Sequence, residues 1–276
     1  MVIKMKKIYV VMAILMIAIL LSGCTKIQEY IDGDEKDSHP PSDDEISIAC
    51  WNLQIFGTTK ASKTNLIDYY GEKLDEYDIF IVQEIRDSSG TAIQTLAKEF
   101  PNHDYILSER AGQSSSKEQY AVFYNNEVEL DTYKDWTSSY QEQMQRPPLE
   151  VRFDVTNGDW DFTLYTIHTS PSSVDEDLDV LEDIIGSSNK DVIILGDLNA
   201  DGSYYDEDNI QHFMDWKWVV TNSVDTTVAL SDNTYDRIII NDKCENNYIN
   251  FGVMDDVDKD QSDHYLVYAI FDPSEE

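Results

Sequence analysis

The sequence predicts an α/β sandwich, two packed β-sheets with helices on the outside. Short apolar runs of strand length alternate with amphipathic helical stretches along the chain. The links between many strands are hairpin-like, and no repeat of fixed period is visible. Four polar clusters then border strand-like apolar runs such as 46–50, 79–82 and 192–195: Trp51-Asn52, Gln83-Glu84, Gly196-Asp197-Leu198-Asn199 and Ser262-Asp263-His264. Polar groups at strand ends, far apart in sequence, are what a pair of packed sheets needs to build one site at a rim.

The chain opens with an address. Lys4, Lys6 and Lys7 precede an unbroken apolar run from Ile8 to Leu21, too short for an ordinary spanning helix. The run ends in Leu21-Ser22-Gly23-Cys24, which resembles the lipobox of prokaryotic lipoproteins. That resemblance implies a signal peptide over 1–23, acylation of Cys24, and a domain outside the cell held to the membrane by a lipid. An uncleaved signal anchor fits the small residues and the cysteine less well. Residues 24–45, with Asp32-Gly33-Asp34-Glu35-Lys36-Asp37 and Pro40-Pro41, have no apolar period and read as a flexible acidic tether. Residues 46–272 then form one domain large enough for a full core.

Within that domain, 46–51 reads as a strand. Ser62 opens a helix whose Leu66, Ile67, Tyr70, Leu74 and Tyr77 share a face. A second strand spans 78–83, and Ala92, Ile93, Leu96, Ala97 and Phe100 mark a second helix stopped by Pro101. Strands follow at 103–108, 119–125, 149–155 and 160–167. Ser172-Ser173 before Asp175-Glu176-Asp177 is a helix start with acid in its first turn, favoured by the helix dipole, and Val174, Leu178, Leu181 and Ile185 supply its buried face. The last strands are expected at 191–195, 235–240 and 265–271.

The 276 residues carry 54 acidic against 20 basic side chains, a net charge of −34. This acidity suits a solvated surface in a salty exterior and opposes binding to a polyanion unless bound cations intervene. Basic groups near the polar clusters are few: Arg86, Lys117, Arg146, Lys60 and Lys63. Besides Cys24 there are Cys50 and Cys244, which read equally as a bridge or as two buried thiols.

The clustered residue types suit phosphate ester hydrolysis. That chemistry needs charge neutralised on the phosphoryl oxygens, an aligned water and a proton for the leaving oxygen. Glu84 is a direct ligand for a hard ion, with Asn52 nearby as neutral ligand or phosphate donor. Asp197 and Asn199, two apart after a strand, face one side. Asp263 adjoins His264, so one orients or ligates while the other meets phosphate. His168 ends the strand before Thr169-Ser170-Pro171. Two histidines at strand ends supply one acid and one base, each needing a carboxylate to fix its tautomer, and Glu118 and Asp236 are the candidates.

The combination resembles the endonuclease/exonuclease/phosphatase superfamily, and within it the deoxyribonuclease I branch, over 46–271. The carrying stretches are Trp51–Gly57, Val82–Ser88, Ser116–Tyr120, His168–Ser172, Gly196–Asp201, Asp225–Thr227, Tyr235–Ile238 and Ser262–Tyr265. The resemblance implies a four-layer α-β-β-α sandwich of two packed mixed β-sheets flanked by helices. It implies acid-base pairs His168–Glu118 and His264–Asp236, with Asp197 close by. Asn52, Glu84 and Asp263 would lie at a catalytic Mg²⁺ or Mn²⁺, and Asn199 would touch the scissile phosphate. Arg86 would enter the minor groove of DNA and Arg146 would touch a phosphate. Asp225 and Thr227 would hold a structural Ca²⁺.

Gln54 stands where that branch has a DNA-contacting arginine, and Ser116 where it has a tyrosine against the sugar. Gly202 and Asn233 occupy one pair of its disulfide positions, and 131–145 lacks cysteine. The expectation is therefore a monomeric, membrane-anchored, metal-dependent endonuclease acting on DNA with little sequence preference and no protein partner. The competing readings are a phosphodiesterase of the same superfamily acting on a lipid headgroup or RNA, and a surface lipoprotein without catalysis.

Overall fold

The computed structural model describes residue 42, residues 44–113 and residues 116–274. The expected signal peptide, Cys24 and most of the tether lie outside the described residues. Within them, no helix is long and apolar enough to cross a membrane.

Two six-stranded sheets pack face to face. The first contains β1 (Ile46–Phe56), β2 (Ile79–Ile85), β3 (Asp104–Leu107), β4 (Gln119–Tyr124), β11 (Tyr248–Met254) and β12 (Leu266–Phe271), in the order β11-β12-β1-β2-β4-β3. The second contains β5 (Val128–Asp135), β6 (Leu149–Val155), β7 (Asp161–Thr166), β8 (Asp191–Asp197), β9 (Lys217–Trp218) and β10 (Asp236–Ile240), in the order β5-β6-β7-β8-β10-β9. The helices are α1 (Thr58–Ala61), α2 (Thr64–Leu74), α3 (Thr91–Leu96), α4 (Thr137–Tyr140) and α5 (Val174–Ile185).

Both sheets are mixed for the same reason. Each has one parallel pair at its centre, β1 with β2 and β7 with β8, and a parallel pair requires a helical crossover. The segment carrying α1 and α2 joins the first pair, and α5 joins the second. Every flanking pairing is antiparallel. Consequently the ends of β1, β2, β7 and β8 and the starts of β4, β6, β10 and β12 all open on one rim.

Three apolar clusters define the layers. Ile48, Ile81, Val151, Leu164, Ile193 and Val267 belong to the cluster between the sheets. The opposite faces of β1 and β2, through Trp51, Phe80 and Val82, cover Leu66, Ile67, Tyr70 and Ile93 of α2 and α3. Ile194 and Ile239 cover Leu178 and Leu181 of α5. The sequence pattern matches in β1, β2 and β8, which are apolar on both faces because both are covered and so read as runs rather than alternations. The expected four layers are present.

Three strands escape the sequence reading, β5, β9 and β11, and each is an edge strand. β5 has only Val128 buried, so its side chains leave no apolar period. The short helices α1 and α4 carry one buried residue each and leave none either. The first expected helix ends at Leu74, and Tyr77 is buried beyond it. Cys50 and Cys244 are free and buried, which settles the open choice in favour of two thiols.

The sheets are also tied by polar contacts at the rim. The Gln83 carboxamide, fully buried at the end of β2, donates to Thr166 Oγ1 (3.1 Å) and the Ile167 carbonyl (2.9 Å) and accepts from the Asp197 N–H (2.9 Å). Gly196 makes room for it: a Cβ there would stand 2.0 Å from the Ile167 oxygen and 2.5 Å from Gln83 Nε2.

Candidate active site

Each of the eight central strand ends delivers a polar side chain to this rim. Asn52 and Glu84 come from β1 and β2, His168 from just past β7, and Asp197 from the end of β8. Glu118, Arg146 and His264 sit just before β4, β6 and β12, and Asp236 opens β10.

Asp197 is the meeting point. Its Oδ2 accepts from Asn52 Nδ2 (3.0 Å) and lies 3.3 Å from His168 Nε2 and 3.5 Å from His264 Nε2. Its Oδ1 accepts the Asn199 N–H at 3.2 Å. The far nitrogen of each ring has its own carboxylate: His168 Nδ1 to Glu118 Oε2 at 3.0 Å, His264 Nδ1 to Asp236 Oδ2 at 2.7 Å. The two expected pairings are therefore formed. Both histidines are nearly buried, at 6 % and 9 % exposure, although they stand at strand ends on the rim. Tyr120 O–H receives the His168 N–H, and Trp51 Nε1 donates to the His264 carbonyl.

The electrostatics follow from that packing. Burial alone would push the Asp197 carboxyl up, but the His264 and His168 imidazoles, the Asn52 amide and the Asn199 N–H hold it below the usual carboxylate range. Burial likewise works against ionised Glu118, and His168, Arg146 and Arg86 overcome it. For His264, burial favours the neutral ring, yet the Asp236 and Asp197 carboxylates raise it to about 10. At neutral pH this ring is an imidazolium.

Asn52 and Glu84 are adjacent, Nδ2 to Oε1 at 3.4 Å. Glu84 Oε2 also accepts from the Ile55 N–H (2.7 Å) and pairs with Arg86 (2.9 Å). Asp263 stands on the other flank, Oδ1 3.9 Å from His264 Nε2. Lys60, donating to the carbonyls of Leu53 and Gln261 at 2.8 and 2.7 Å, is pushed down to about 8 by burial, while Asp263 and Glu84 both raise it. Donor atoms of Glu84, Glu118 and His168 lie within 4.8 Å of one another, and so do those of Asp197, Asp236 and His264. Carboxylate oxygens with a carboxamide and an imidazole are a set that fits a hard divalent ion. Glu84 and Asn199 also have left-handed backbones, φ 59° and 48°, an unusual state for these residues that the surrounding hydrogen bonds enforce.

The remaining expected residues are placed differently. Arg86 reaches back into the rim and bridges Glu84 and Glu118, at 2.9 and 3.0 Å. Arg146 is buried, its Nε donating to the His168 carbonyl at 2.7 Å and its Nη2 to that of Thr169. Asn199 Nδ2 donates to the Thr169 carbonyl at 3.2 Å. Asp225 Oδ1 accepts from Thr227 N–H (3.0 Å), Thr227 O–H (3.1 Å) and Asn233 N–H (3.2 Å), closing its own loop. That loop supports the site: Thr226 Oγ1 accepts the Asp236 N–H, and Thr227 bridges to His264.

Sequence reasoning left several contributors without a role. Gln83 and Ser262 stood inside the singled-out clusters; Ser262 Oγ donates to the Asn52 carbonyl and accepts the His264 N–H. Tyr120 and Thr226 gave no signal beyond lying beside Glu118 and Asp225.

A model of the Endonuclease/Exonuclease/phosphatase family matches residues 49–264. The chain belongs to this family. It is similar to deoxyribonuclease-1 of Bos taurus and of Homo sapiens, 31 % identical to each over 216 residues, covering 71 % of this chain and 77 % of each relative. It is thus a deoxyribonuclease I-like member, and a hydrolase. Among solved structures, a mannosyl-6-phosphatase of Bacteroides thetaiotaomicron superposes with a TM-score of 0.61 at 16 % identity, covering 81 % of this chain and 98 % of its own. A humanized TDP2 of D. rerio gives 0.62 at 16 %, covering 83 % and 99 %. These two share the fold.

Proposed function

We propose that the chain is an endonuclease that hydrolyses DNA phosphodiester bonds with little sequence preference and depends on a divalent metal. The observation that carries this reading is the convergence of two carboxylate-supported imidazoles on Asp197 Oδ2. Glu84 and Asn52, flanked by Asp263, would hold the Mg²⁺ or Mn²⁺ ion, which supplies charge neutralisation on the phosphoryl oxygens. Glu118 fixes His168 with its proton on Nδ1, so Nε2 receives a proton from the attacking water. His264, kept charged by Asp236 and Asp197, hands its Nε2 proton to the leaving oxygen. Asn199 orients the phosphate from its fixed backbone. Asp225 and Thr227 offer hard oxygens for a Ca²⁺ that would stiffen the loop supporting Asp236 and His264. Every contributing group comes from one chain, so a monomer suffices. The basic, apolar and small-residue order of residues 4–24 supports attachment at the outer membrane face through Cys24.

A second reading has an observation in its favour. Arg86 and Arg146 are engaged inside the rim, and Gln54 and Ser116 replace groove contacts, which suits a smaller phosphodiester such as a lipid headgroup. Nicking of supercoiled plasmid, compared with release of headgroup from phospholipid vesicles, decides between them. The endonuclease reading expects nicking with Mg²⁺, none in excess EDTA, and full return on adding Mg²⁺ back. Headgroup release without nicking would replace it, and full activity in chelator would remove the metal.

A further inference from the structure

A second cluster of ligating side chains lies away from the catalytic rim. His212 belongs to the segment between β8 and β9 and is only 4 % exposed. Its neighbours Tyr205 and Phe213 pack with Leu178 and Leu181 of α5 on the outside of the second sheet. On α5, Asp175, Asp179 and Glu182 follow one another at spacings of four and three, which puts all three carboxylates on one face. That face meets the imidazole.

The orientation of the ring is informative. His212 Nε2 lies 3.3 Å from Asp175 Oδ1 in a hydrogen bond, so the proton of a neutral ring belongs there. Nδ1 is buried and makes no hydrogen bond. It faces Asp179 Oδ1 at 3.5 Å and Glu182 Oε2 at 3.7 Å. A lone pair directed at two carboxylate oxygens is a repulsive arrangement unless a proton or a metal ion stands between them. Donor atoms from His212, Asp179 and Glu182 lie within 4.8 Å of one another, close enough to share one ion. Glu182 is already held in place, because its Oε1 accepts the Phe213 N–H at 2.5 Å and leaves Oε2 for the cluster. A carboxylate behind the far nitrogen of an imidazole is the usual support of a metal-bound histidine.

We propose that His212, Asp179 and Glu182 bind a divalent transition ion of the Zn²⁺ class, with Asp175 holding the imidazole in the tautomer that frees Nδ1. Two carboxylates balance the charge of the ion, and the nitrogen donor selects Zn²⁺ over Mg²⁺ or Ca²⁺. The ion joins the 205–216 segment to α5. This site is structural and does not depend on the catalytic reading.

Zinc titration calorimetry of the parent chain against Asp179→Asn and His212→Gln tests it. Both variants keep the catalytic rim, so any zinc taken up there cancels in the comparison. The Asp179 side chain is 71 % exposed, so its substitution leaves the fold intact even if His212→Gln does not. The parent should bind one Zn²⁺ equivalent more than Asp179→Asn, and Mg²⁺ should not compete for it. Crystals soaked in zinc should show an anomalous peak roughly 2.0–2.1 Å from His212 Nδ1. Equal zinc uptake by parent and Asp179→Asn, or no peak at His212, would overturn the proposal and leave a charged histidine paired with acids.

Discussion

Asp197 is buried yet ionised because two imidazoles, an amide and a backbone N–H surround it, and its charge in turn holds His264 in the protonated state. Glu118 and Asp236 were legible as candidate carboxylates, since histidines at strand ends need carboxylates nearby, while their assignment to His168 and His264 came from the family resemblance. The bridging by Asp197 was not legible, because it depends on how closely two separate sheets approach. Nor was the inward turn of Arg86, which answers the local excess of Glu84 and Glu118. A pH effect follows. His264 is raised, so its contribution to stability is complete below its unfolded value of roughly 6.5 and is lost as pH rises through about 10. Asp197 and Glu118 are lowered, so theirs is present above roughly 4 and is lost as pH falls through the depressed values. If His264 is the acid, the alkaline limb of the nicking profile lies well above the ordinary imidazole value in the parent. Asp236→Asn removes the largest influence holding that proton, so the limb should move toward neutrality. An unmoved limb would take the acid role from His264.

At the scale of elements, the central strands were legible and three of the four edge strands were not, β3 being the exception. β1, β2 and β8 are covered on both faces, so their sequences are apolar runs ending in polar clusters. β5, β9 and β11 are held by backbone pairing with one neighbour, which leaves little trace in side-chain pattern. The junction between β2 and β8 is the most demanding element contact. Gly196, at φ +154°, lets β8 approach both Ile167 and the Gln83 carboxamide. Gly196→Ala should lower the unfolding free energy by about 3 kcal/mol or more, from backbone strain and displacement of a buried hydrogen-bonded group. Denaturant unfolding checks this; a loss within about 0.5 kcal/mol, the ordinary range for surface changes, would mean that the sheets adjust without cost.

Over the whole molecule, the net charge of −34 sets the long-range field that an anionic substrate meets. Ordinary basic nucleic-acid binders lose affinity steeply with salt by counterion release. Here Arg86 and Arg146 are engaged inside the site, few phosphates are neutralised by side chains, and salt also screens the repulsion. Initial nicking rate across a NaCl series at fixed Mg²⁺ should be shallow or bell-shaped. A steep fall from the lowest salt would show that side-chain cations dominate binding. The central claim, that two supported histidines share proton transfer around Asp197, is tested most directly by the initial plasmid-nicking rate of His168→Ala and of His264→Ala beside the parent at one Mg²⁺ concentration, with folding checked by circular dichroism. Each folded variant should nick roughly a hundredfold more slowly or worse. A folded variant that lacks either histidine and nicks at near the parental rate would contradict the account.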